Sequence, residues 1–271
     1  MLADAASAGL TPAFAAARAR LGLIALLFAL AAVGWWWTIG QMRGMDAGPG
    51  TALGSAGFFL GVWVVMMGAM MFPSVAPTVA LYARMAQKRT LAPLLFAAGY
   101  LVTWAVAGVV AFGIAYGGSR VVGGVLDWDR GGRWVAGATL VVAAVYELTP
   151  LKDVCLGKCR SPLGFLLGSW RGGNVGALRM GATHGAWCVG CCWALMASLF
   201  ALGIMSVGWM AFVAALIAAE KLVPWRRVAT WGTAAILLTL GVLMLAAPHA
   251  IPGLTIPGHG MSPMSPMSPM G

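Results

Sequence analysis

A chain of 271 residues that is 61% hydrophobic and only 9% charged is the wrong material for a soluble domain, where charged residues approach a quarter of the total. Its net charge of +10 comes from basic residues set between apolar blocks, a topology signal that gives no support to nucleic-acid binding. The five cysteines form no secreted disulfide framework, and neither a nucleotide-binding loop nor an H-E-x-x-H pattern occurs. The composition predicts an all-α, polytopic membrane helix bundle of about seven transmembrane helices.

Residues 1–20, Ala-rich and closing with Arg18 and Arg20, read as a cytoplasmic N-terminal segment. The first span, Leu21–Ile39, ends in Trp35-Trp36-Trp37, which suits an interfacial aromatic belt. Ala29-Leu30-Ala31 resembles a signal-peptide cleavage site, but the apolar run continues past it, so an uncleaved anchor is expected. The second span, about 56–83, contains M-M-G-A-M-M-F-P-S-V-A-P. Met66, Met67, Met70 and Met71 share one side of that helix, and Pro73 and Pro77 are expected to kink or open it. Plain apolar packing is the simpler account of such a stripe.

The third span, about 91–116, holds no ionisable group in its core. The fourth, about 134–151, ends Y-E-L-T-P-L-K, with Glu147 five residues before Lys152 and close to the interface. A carboxylate there is a candidate for charge compensation or proton relay, or a simple partner for Lys152. Lys152–Arg179 is the longest internal connection; it carries Cys155-x-x-x-Cys159 and an apolar stretch, Leu163–Trp170, expected along the interface. Spans five (about 180–203), six (about 204–219, ending at Glu220-Lys221) and seven (about 228–247) complete a bundle over residues 21–247. The tail, 248–271, contains His249, His259 and an M-S-P repeat, and is read as flexible.

Seven spans place 13 of the 17 Lys and Arg residues on the N-terminal side. The positive-inside rule then puts the N-terminus in the cytoplasm and the C-terminus outside, in a bacterial inner membrane. Helix rise sets Cys188 and Cys192 about 13.5 and 19.5 Å in from Arg179, and Met70 about 21 Å in from Arg84. These clusters meet near the midplane if spans two and five are neighbours.

The richest stretch is H-G-A-W-C-V-G-C-C-W-A-L-M at 184–196. His184, Cys188, Cys191 and Cys192 fall within one helical stripe about 100° wide. Imidazole, thiolate and thioether together suit Cu(I), with Zn(II) the alternative, and are the wrong set for Mg or Ca. Along the membrane normal, the soft donors form a row: tail methionines, Met66–Met71, Cys188–Cys192, His184, then Cys155 and Cys159 as an inner exit site.

With M-M-G-A-M-M-F-P-S at 66–74, Y-E-L-T-P-L-K-D-V-C-L-G-K-C-R-S-P at 146–162 and the 184–196 stretch, the chain resembles a bacterial family of predicted metal-binding integral membrane proteins. The resemblance covers roughly residues 56–225 and implies a membrane location and a metal association.

The leading functional expectation is a membrane protein handling Cu(I), by transport or by delivery, through Cys, His and Met ligands, with Glu147 or Glu220 balancing charge. Its partners would be the lipid bilayer and a metallochaperone or cuproprotein. Two further classes stay open: a membrane thiol–disulfide oxidoreductase using Cys188-x-x-Cys191, and a metal-free structural or assembly subunit, in which small residues serve close helix packing.

Overall fold

The computed structural model describes residues 2–42, 54–86, 91–122, 131–203, 206–251 and 254. The M-S-P repeat and His259 lie outside these. The described secondary structure is helical: α1 Leu2–Met42, α2 Ala56–Ala86, α3 Ala92–Val122, α4 Arg133–Glu147, α5 Pro150–Arg160, α6 Pro162–Ser169, α7 Gly173–Leu202, α8 Val207–Leu222 and α9 Arg226–Ala246.

Five stretches are long and apolar enough to cross a membrane: Leu21–Met42 of α1, α2, Ala92–Gly118 of α3, α7 and α9. The pair α4–α5 makes a sixth by the same measure but is bent by 68°. At 16 residues, α8 falls short of the about 20 that a straight span requires, so length supports five or six spans against the seven expected.

α7 is the hub, packing against α3, α4, α5 and α8, while α1 lies along α2 and α9 along α4. The tightest seam is α3 against α7. A Cβ on Gly181 would overlap the Phe96 carbonyl, so only glycine lets these backbones approach so closely. Thr103 Oγ1 donates to the Ala182 carbonyl at 3.0 Å across the same seam. The adjacency assumed for spans two and five takes a different form, because α3 packs against both α2 and α7. Side chains still join the outer two: the rings of Phe59 and Trp63 of α2 lie tilted against Phe200 of α7, with centroids 6.5 and 6.1 Å away.

α2 stays helical through Pro73 and Pro77 rather than opening. Ser74, beside Pro73, donates from its hydroxyl to the Met71 carbonyl at 2.8 Å. Met66, Met67, Met70 and Met71 are all buried, so the stripe faces the core and not lipid.

The segment expected as a cytoplasmic connection, 152–179, is largely helical. Its local chemistry explains the fold. Thr149 caps α5 by accepting from the Lys152 amide at 3.4 Å, its hydroxyl donates to the Tyr146 carbonyl at 2.7 Å, and Pro150 occupies the first helical turn. That cap stops α4 and redirects the chain. α5 then packs onto α7 instead of leaving the bundle.

Candidate metal centre

Turning α5 back onto α7 has one decisive consequence: it brings Cys159 to the cysteines of the 184–196 stretch. The ligand atoms of Cys159, Cys188 and Cys191 lie within 4.8 Å of one another. Cys159 Sγ is 3.7 Å from Cys191 Sγ. Metal–sulfur bonds of about 2.3 Å put sulfurs about 4.0 Å apart in a trigonal site and about 4.6 Å apart in a linear one, so the trio has the spacing of a thiolate metal site with little rearrangement. Sequence alone grouped Cys159 with Cys155 as an inner exit site. Cys159 belongs to the central cluster, because the bend after Glu147 carries α5 inward.

The remaining expected ligands distribute around this trio. Cys192 Sγ is 3.3 Å from Cys191 Sγ, in sulfur contact but outside the mutual trio. Cys155, one turn before Cys159, sits against Gly190, where a Cβ would stand 2.8 Å from its sulfur. The Tyr146 hydroxyl donates to the Gly190 carbonyl, which fixes α4 to α7 at the same level. All five cysteines are free thiols, and Cys159 alone among them is incompletely buried.

His184 is buried one turn before Cys188, in a box of aromatic rings. Phe165, Phe96 and Tyr100 have ring centroids 4.8, 6.0 and 6.1 Å from it. Its Nδ1 has no hydrogen-bond partner among the described residues. It borders the trio without joining it.

Three groups that sequence reading passed over complete the site. The Tyr100 hydroxyl is hydrogen-bonded to Cys188 Sγ at 3.1 Å, from a span read as free of ionisable groups. Lys221 Nζ donates to Cys188 Sγ at 3.1 Å and to Ser74 Oγ at 3.3 Å. It also stands 3.9 Å from Met71 Sδ, which links the methionine stripe to the thiol site.

Lys152 is fully buried and bridges two carboxylates: it is ion-paired with Glu147 and lies 2.7 Å from Glu220 Oε2. Glu147 and Glu220, expected to compensate charge, thus act together on one lysine. Each keeps a second oxygen without a partner among the described residues. Arg160 donates to the Glu220 and Val223 carbonyls at 2.6 Å each, tying the end of α5 to the end of α8. Lys152 lies wholly inside the bundle and Lys221 is partly buried there.

A family profile described as PpoB2, copper chaperone, matches residues 60–244. The chain belongs to this copper chaperone family. The match runs from the first turns of α2 into the last turn of α9 and takes in every residue of the thiol trio, Lys221 and the Glu147–Lys152–Glu220 cluster. It leaves out α1 and the tail. No curated protein and no solved structure matches the chain.

Proposed function

We propose that the protein is an integral membrane protein of the bacterial cytoplasmic membrane that holds Cu(I) between Cys159, Cys188 and Cys191 and hands it to an acceptor protein. The carrying observation is the convergence of three thiol sulfurs within 4.8 Å of one another from two helices. Thiolates are soft donors that favour Cu(I), and a sulfur-only set offers nothing to hard cations. Membership of a copper chaperone family supports copper over zinc, and delivery over transport.

In this reading Cys192 and His184 are adjacent donors, and Met66, Met67, Met70 and Met71 form the approach on the outer half. The incompletely buried Cys159 is where an acceptor's thiol begins ligand exchange. Release then proceeds by stepwise replacement of protein sulfur by acceptor sulfur, so the ion is never free. In this reading the N-terminus lies inside, with Arg18 and Arg20 flanking the first span on the cytoplasmic side.

The test is elemental analysis of protein purified from copper-replete cells, with X-ray absorption of the bound metal. The expected result is one copper per chain with a sulfur shell, lost when Cys159, Cys188 and Cys191 are replaced together by Ser. Equal copper in both proteins would sink the proposal, and zinc in place of copper would reassign the metal.

A second reading, thiol–disulfide exchange, draws on the 3.7 Å separation of Cys159 and Cys191 sulfurs on different helices. It expects a Cys159–Cys191 disulfide in protein isolated without reductant, seen as two fewer titratable thiols.

A further inference from the structure

Lys221 stands where the methionine face of α2 meets the thiol site. Its neighbour Glu220 faces Lys152, which already takes both buried carboxylates. Among the described residues Lys221 therefore has no carboxylate partner. Its ammonium is held by Cys188 Sγ at 3.1 Å, Ser74 Oγ at 3.3 Å and, at 3.9 Å, Met71 Sδ. A monovalent cation set between a cysteine sulfur and a thioether has the surroundings that Cu(I) selects, with nitrogen in the metal's place. Met71 Sδ and Cys188 Sγ can be no more than about 7 Å apart, since both contact this one nitrogen. A modest closure of two flexible side chains brings that span to the about 4.6 Å of a linear two-sulfur site.

We propose that the Lys221 ammonium fills an outer copper station made by Met71 and Cys188, and that incoming Cu(I) displaces it there before reaching the thiol trio. This inference rests on the copper reading above. At the exchange, copper arrives bonded to Met71 Sδ. The N–H···S contact from Lys221 to the Cys188 thiolate breaks as a Cu–S bond to the same thiolate forms. Copper remains monovalent, no electron or proton is transferred, and one unit of positive charge leaves the sulfur as another arrives. The local charge stays constant, which matters where uncompensated charge is costly.

The ammonium has somewhere to go. Lys221 lies in the last turn of α8, beside the exposed Leu222, and its four-carbon stem lets the head swing toward the helix end and water. Lys221 is thus a gate: the empty site holds its own cation, and only a softer one that binds sulfur more strongly replaces it.

The test is stopped-flow loading of purified apo-protein with Cu(I) from a bicinchoninate complex, with final copper content measured alongside. Lys221→Ala is expected to load at least tenfold faster than wild type, with unchanged copper content. Met71→Leu should load at least tenfold more slowly. Lys221→Arg should load several-fold more slowly, because a guanidinium keeps the charge and adds donors to the same acceptors. Loading of Lys221→Ala at the wild-type rate would overturn the gate. So would a loss of copper content in Lys221→Ala, which would make the ammonium a permanent counter-ion. Should Lys221→Ala fail to fold, Lys221→Arg decides, and a wild-type rate there overturns the proposal. Wild-type protein that takes up no copper defeats the copper reading itself; wild-type protein that loads normally beside insensitive variants defeats only the gate.

Discussion

Replacing Lys152 by Met keeps the volume of the side chain and removes one charge from the centre of the bundle. The lysine nitrogen lies 2.7 Å from Glu220 Oε2 and is also paired with Glu147, and all three side chains are essentially unexposed. At an effective dielectric of 20, one such contact is a gross attraction of about 6 kcal/mol. Most of it offsets the cost of removing the ions from water, but that cost stays with the carboxylates when only the lysine is deleted. Breaking a buried pair in this way costs about 3–5 kcal/mol. For a chain of this size that corresponds to a fall in Tm of about 10 °C. The assay is thermal unfolding of the detergent-solubilised apo-protein by circular dichroism, with maleimide labelling of the thiols. Because the cluster pins α5, Cys155 and Cys159 should label faster in Lys152→Met. The triple variant Lys152→Met, Glu147→Gln, Glu220→Gln should recover most of the lost Tm, since a neutral set leaves no unpaired charge. A Tm unchanged in Lys152→Met, or a triple variant no better than the single one, would refute the reasoning.

Gly181→Ala should be destabilising by about 1–3 kcal/mol, because the new Cβ drives α3 away from α7, whereas Gly232→Ala, with nothing within 4 Å of its Cβ, should be neutral or stabilising in the same melt. Tyr100→Phe removes one hydrogen bond to Cys188 and should weaken Cu(I) binding in a competition titration by no more than about fivefold, the equivalent of about 1 kcal/mol. Stripping the metal with a Cu(I) chelator should lower Tm by a margin that grows with the copper affinity, and the Cys159→Ser protein should show little of that shift. Cys155→Ser, whose sulfur lies outside the trio, should retain the full copper content of wild type.

The donor inventory could be read along the chain because the spacing of His184, Cys188, Cys191 and Cys192 sets a stripe on any helix, whatever surrounds it. An all-helical, apolar architecture follows in the same way, since a chain with 9% charged residues has few other means of satisfying its backbone. The burial of the methionine stripe, by contrast, depends on which neighbours cover it. Local signals for α5 were present in T-P-L-K-D, where a capping threonine, a proline in the first turn and an early aspartate mark a helix start. Reading the segment as a loop missed them.

What composition, periodicity and charge determined by themselves was the class of the protein, the kind of metal its side chains suit and the stretch that holds them, because each depends only on residue type and spacing. Tertiary structure decided which donors meet. Cys159 joins Cys188 and Cys191 because a bend of 68° folds α5 inward, and no spacing along the chain encodes that contact. It also decided that Lys152 and Lys221 are inside. A lysine at the end of an apolar run looks the same in sequence whether it snorkels to water or turns to a buried partner, and here the partners are two carboxylates for one and a cysteine sulfur for the other.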